Sequence, residues 1–276
     1  MRIEAATIVI EPRSVGACLD LAVLFYRRHA REILKLTLVL ALPSTILSFL
    51  IADRSQDGLL WSAVLFFLLS PVLGAALVAG AGRGVFGEPF EARSALRALA
   101  ARLGRLLSAI FFSRLVIVLC GLLCLGIPGV LPAVYYGFLP ELLLLEDLKG
   151  GRARRRLSDL MRHTFVDLTA RQVSLLGFMA VTVLSLFTLL DEASGALLGL
   201  PILLGRASRS FFWQEMSTLL LYDPWVVAVL SATCWLAYPL ARLAWFFCYL
   251  DLRIRKEGWD VELDFRIEAD RLQAVS

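Results

Sequence analysis

Hydrophobic positions in this chain fall into long blocks, and the stretches between the blocks carry most of its arginine. At 1.5 Å of rise per residue, a helix of about 20 apolar residues crosses the ~30 Å hydrocarbon core of a bilayer. Six blocks are suited to spanning, namely 33–51, 59–80, 106–125, 128–145, 173–190 and 225–250. Pro43, Pro71 and Pro239 lie inside three of them. Spanning helices tolerate such prolines because neighbouring helices re-satisfy the freed backbone groups.

Shorter stretches with a helical period precede three of the spans. In 14–32 the apolar positions are Leu19, Ala22, Val23 and Tyr26, and Arg27, Arg28 and Arg31 load the end. In 91–105, Ala92, Ala95, Leu96, Leu99 and Leu103 share a face that excludes Arg93, Arg97 and Arg105. In 152–170, Leu157, Leu160, Met161, Thr164, Phe165 and Leu168 do the same. The chain therefore repeats one unit three times, an amphipathic helix followed by a span and a returning span, starting near Ser14, Glu91 and Gly151. The expected fold is an all-α integral membrane protein, a six-span helical bundle.

Two segments break the helical pattern. Residues 259–268 alternate strictly between Trp259, Val261, Leu263, Phe265, Ile267 and charged neighbours, and 2–11 are rich in Ile, Val and Thr. Period two is strand spacing, and a lone strand needs a partner. The termini are expected to pair as a small two-stranded sheet. The stretch 196–224 is apolar in part, too short before Gly205 to cross, and fits a re-entrant or an interfacial element.

Composition supports the membrane reading. Of 276 residues 59% are hydrophobic, above the roughly 45–50% of soluble domains, and mean hydropathy is +0.74. The N-terminus is not expected to be a cleaved signal, and no sizeable soluble domain is expected outside the blocks. Lysine occurs only at 35, 149 and 256, an arginine bias that suggests a GC-rich bacterial genome. Cys18, Cys120, Cys124, Cys234 and Cys248 read as small apolar residues, with neither a disulfide framework nor a metal site.

Charge then sets the topology. Arg2, Arg13, Arg27, Arg28 and Arg31 precede the first span. Arg83, Arg93, Arg97, Arg102 and Arg105 follow the second, Lys149 through Arg171 the fourth, and Arg253, Arg255, Lys256, Arg266 and Arg271 the last. The opposite loops hold Arg54, Arg206 and Arg209 among six acids. The positive-inside rule places both termini in the cytoplasm of a bacterial inner-membrane protein. The run Arg152, Arg154, Arg155 and Arg156 is expected to contact anionic phospholipid at that face, rather than nucleic acid.

Arg114, Glu141 and Arg242 are the ionisable residues deepest in the blocks, ~12, ~7 and ~12 Å from the cytoplasmic side by helical rise. A lone arginine in a membrane costs roughly 2.5–3.5 kcal/mol, so Glu141 is expected to bridge Arg114, with Arg242 as a further partner. Such a cluster either locks helices together or forms a polar pocket for a headgroup or substrate. Nucleophile elbows, phosphate loops, dinucleotide fingerprints and metalloprotease helices are missing, and no catalytic residue or cofactor is expected. Two functions remain open. One is a non-catalytic scaffold or accessory subunit that engages lipid or other membrane proteins. The other is a small permease or lipid-handling protein using the Arg/Glu cluster.

One stretch carries a family resemblance. The order Pro128-Gly129, an apolar run, Glu146 and then RARRRLSDL resembles the bacterial membrane domain named after glycerophosphoryl diester phosphodiesterases, and the related YciC-like six-span proteins. The juxtamembrane YLDLRIRKEGWDVE, Tyr249–Glu262, is similar to a signature of that group. In the named enzymes the domain is fused to a soluble catalytic barrel, and no stretch here is long enough to be one. The resemblance implies a six-span architecture and no activity.

Overall fold

The structure is a computed structural model, and it describes residues 13–85, 88–123, 129–148, 150–206 and 212–257. All regular elements among them are helices: α1 (Val15–Arg28), α2 (Ala30–Arg54), α3 (Gly58–Val85), α4 (Ala92–Ala101), α5 (Leu103–Leu123), α6 (Val130–Tyr135), α7 (Leu139–Leu144), α8 (Gly151–Met161), α9 (Phe165–Leu198), α10 (Phe212–Tyr222) and α11 (Pro224–Glu257). Five of them, α2, α3, α5, α9 and α11, are long and apolar enough to cross a membrane. The terminal segments expected to form a sheet lie outside the described residues.

The segment expected as the fourth span, 128–145, is not one helix. It is broken between α6 and α7, and Val130–Leu144 as a whole rises only ~22 Å. Pro140 is the cause: it has no N–H to give the Tyr136 carbonyl. That carbonyl instead accepts from the Leu139 N–H at 3.1 Å, a tighter turn, and the ladder restarts with Leu142 N–H to Phe138 O at 3.2 Å.

Other boundaries move for local reasons. Single-residue corners at His29 and Arg102 join α1 to α2 and α4 to α5. The corner from α8 to α9 places His163 at a positive φ of 66°. The fifth expected span, 173–190, is the middle of the longer α9, which runs to Leu198 and ends on the left-handed Gly199. Asp191 does not end that helix. It is 2% exposed, and its carboxylate accepts the N–H groups of Ile202, Leu203 and Leu204 at 2.6, 2.9 and 2.7 Å, clasping the loop beyond α9. Of the two alternatives for 196–224, its described residues form this loop and α10, whose Met216 and Leu219 pack against Phe187, Leu203 and Val226.

α11 is the hub. It touches α1, α2, α3, α8, α9 and α10. In the most apolar stretches of α3 and α11, 56% of residues are buried, against 17% in α5 and 11% in α9, so α5 and α9 turn most of their apolar surface outward. A polar seam ties the inner helices: the Trp235 indole N–H donates to Ser44 Oγ at 3.0 Å, and Ser62 Oγ donates to Ser48 Oγ at 3.0 Å. Such bonds are worth about 0.6 kcal/mol each between membrane helices.

Charge collects at one end of the bundle, where α2, α4, α5 and α9 begin and α11 finishes. Buried Asp251 on α11 accepts from Arg171 Nη1 of α9 at 2.7 Å and from the Arg13 backbone N–H at 2.5 Å. Glu146 accepts from the Tyr249 hydroxyl at 2.5 Å and pairs with Arg156 at 3.2 Å and Arg253 at 3.4 Å. Lys256 Nζ donates to the carbonyls of Asp159, Leu160 and Arg162 at the end of α8, a cation placed on the negative end of a helix.

Candidate functional site

Three close approaches build the centre of the bundle. Gly74 of α3 faces Tyr238 and Arg242 of α11, and a Cβ there would stand 2.5 Å from Tyr238 Oη and 2.9 Å from Arg242 Nε. Only a bare backbone lets that arginine lie flat against α3. Gly137, in the α6–α7 break, similarly leaves room for Trp245, whose Nε1 would be 2.9 Å from an added Cβ. Phe138 beside it stacks on the Trp245 ring with centroids 4.6 Å apart. The break thus docks on α11 and directs Glu141, in the first turn of α7, into the core at 0% exposure.

There Glu141 Oε1 meets Arg242 Nη2 at 2.8 Å. Beyond this ion pair, Glu141 Oε2 and Arg242 Nη1 have no hydrogen-bond partner among the described residues. Glu141 makes no ion pair with Arg114, contrary to expectation. The proline break points it toward α11 and α3, while the Arg114 guanidinium lies 4.2 Å from the centroid of the Phe67 ring on α3. A cation over a ring face is worth about 2 kcal/mol when desolvated. Of the two partners expected for Glu141, the structure pairs it with Arg242 and not with Arg114.

Arg114 and Arg242 nevertheless share a cavity. It has a volume of about 190 Å³ and lies between α5, α9, α11 and the α6–α7 break. Its polar wall includes Ser113, Arg114, Gln172, Tyr238, Arg242 and Trp245. Gln172 Oε1 and Trp245 Nε1 are also buried without a partner among the described residues. Glu141 stands behind Arg242 and does not line the space. Two guanidinium groups against one carboxylate leave a surplus of one positive charge around the cavity. An unmatched guanidinium offers a fork of N–H donors that fits carboxylate or phosphate.

Sequence reasoning misses Tyr238, Trp245, Gln172 and Ser113. A usable signal exists for two of them: Tyr238 and Trp245 stand at i−4 and i+3 from Arg242, the spacing that shares one helix face. The arginine run on α8 divides. Arg152, Arg154 and Arg155 are exposed, whereas half-buried Arg156 turns in to Glu146. Searches against protein families, curated proteins and solved structures return no match for this chain.

Proposed function

We propose that this is a lipid-handling protein of a bacterial inner membrane, which binds an anionic headgroup in the cavity walled by Arg114 and Arg242. The observation that carries the reading is Arg242 Nη1, buried beside an open space with no hydrogen-bond partner among the described residues, while Nη2 is held by Glu141 at 2.8 Å. A scaffold would need only the Glu141–Arg242 pair in a solid bundle. The second guanidinium and the space between them have a use if an anion enters.

In this reading the chain crosses the membrane six times, with the broken α6–α7 segment as the short fourth crossing and both termini cytoplasmic. The basic end faces the cytoplasm, and Arg152, Arg154 and Arg155 lie against anionic lipid there. Arg114 is ~12 Å from Leu106, where the apolar part of α5 begins, so the headgroup site lies within the inner leaflet. The protein binds and passes on its ligand without chemical turnover. The motifs around Pro128-Gly129, Glu146 and Arg152–Arg156, which resemble those of six-span bacterial membrane proteins, support this topology.

Lipid retention tests this. The protein is reconstituted in liposomes of phosphatidic acid, phosphatidylglycerol, phosphatidylethanolamine and phosphatidylcholine, then extracted and analysed by native mass spectrometry. One retained anionic lipid is expected, and it is lost in Arg114→Gln. Retention in proportion to the liposome composition refutes the reading.

A further inference from the structure

A second hollow lies along the outer part of α9. It is an apolar groove of about 790 Å³ between α9, α10, α11 and the loop held by Asp191. On α9 its wall runs from Leu176 through Ala180 and Val183 to Thr188. On α10 it is formed by Trp213, Met216 and Leu220. Leu176 and Met179 line both this groove and the charged cavity, so the two spaces adjoin along one face of α9.

We infer that cavity and groove together form one binding site for a long-chain lipid phosphate: headgroup at Arg114 and Arg242, hydrocarbon chain laid along α9 past the bilayer midplane. This rests on the headgroup reading proposed above and adds the orientation and reach of the ligand.

Three observations support it. Chemistry changes in the right order along α9, from Gln172 in the charged cavity to a wall that is almost wholly apolar. The distance also fits. Gln172 to Thr188 is ~24 Å of helix, longer than the ~15 Å hydrocarbon depth of one leaflet. A headgroup drawn down to Arg114 takes its chain with it, and the groove receives that chain beyond the midplane. Finally, the groove is open to the side. Leu184 is 64% exposed and Trp213 77%, so a lipid can enter from the bilayer without passing through the bundle.

The test is photocrosslinking with the whole protein in phosphatidylcholine nanodiscs. Phosphatidic acid carrying a diazirine at the end of one acyl chain is compared with phosphatidylcholine carrying the same group. The inference expects phosphatidic acid to label the wild-type protein several-fold more than phosphatidylcholine, with the excess on Val183–Thr188 and Met216–Leu220. Ala180 is exposed and lines the groove. Ala180→Trp should abolish this excess while native mass spectrometry still finds retained phosphatidic acid, and Ala180→Ser should behave as wild type.

Excess label confined to the shallow part of α9, or unchanged in Ala180→Trp, overturns the inference and leaves headgroup binding standing. Equal labelling by the two lipids, with no phosphatidic acid retained, overturns both.

Discussion

Replacing Glu141 by Gln removes the carboxylate that faces Arg242 in the core. The two charged atoms are 2.8 Å apart, and the residues are 0% and 8% exposed. At an effective dielectric of about 20 their attraction is ~6 kcal/mol before desolvation is counted. Breaking a buried pair on one side costs about 3–5 kcal/mol, because the remaining charge stays buried. A lone arginine in a membrane helix costs roughly 2.5–3.5 kcal/mol by a separate measure. Both point to a loss of about 3 kcal/mol for Glu141→Gln.

Removing both charges, as Glu141→Leu with Arg242→Met, should return stability to within about 1 kcal/mol of wild type, since well-packed apolar side chains replace buried ion pairs at little cost. The assay is reversible unfolding in mixed micelles with increasing dodecyl sulfate, followed by far-ultraviolet circular dichroism. The double variant should also fail to retain anionic lipid despite being folded, which separates the pair's structural part from the site's binding part. A Glu141→Gln protein within about 0.5 kcal/mol of wild type would refute the argument, as would a double variant showing the sum of two large losses.

Three further variants probe the surroundings by the same assay. Gly74→Ala drives a methyl group to 2.5 Å from Tyr238 Oη and should cost about 1–3 kcal/mol, with weaker lipid retention because Arg242 is displaced. Asp191→Ala strips the shared acceptor from three backbone N–H groups and should cost about 3 kcal/mol, with faster amide exchange confined to Ile202–Leu204. Ser44→Ala leaves the buried Trp235 indole without its acceptor and should cost about 0.6 kcal/mol, at most ~1.7.

The long apolar helices were legible because their signal is additive: twenty apolar residues in a row outweigh any local preference. Their starts were legible too. Each of α2, α5 and α9 follows a short helix, and in α4 and α8 that helix turns Ala or Leu inward and Arg93, Arg97, Arg154 or Arg155 outward. The break at Pro140 was hidden because hydropathy counts proline among apolar neighbours and ignores its missing N–H. The fifth span was expected to stop at 190, just before Asp191, because an acid after an apolar run usually ends one, and the role of Asp191 depends on a loop eleven residues on. The three charged residues of the site were visible as isolated charges in apolar blocks. That Glu141 pairs with Arg242 alone was not, since it depends on how α7 is aimed and on Gly74 lying opposite Arg242. That α11 is the hub was equally hidden, because packing order among apolar helices leaves little trace in hydropathy.

The central claim is that an anion belongs between Arg114 and Arg242, and Trp245 in the cavity wall is its natural reporter. Dihexanoyl phosphatidic acid, a monomeric short-chain probe, is titrated into the detergent-solubilised protein while tryptophan fluorescence is followed, with Trp245→Phe to assign the signal. A saturable change carried by Trp245, absent with dihexanoyl phosphatidylcholine, is predicted. Arg114→Gln should weaken it about ten- to a hundredfold, the worth of one or two hydrogen bonds to a charged group. Identical titrations for the two lipids, or an unchanged affinity in Arg114→Gln, would contradict the account.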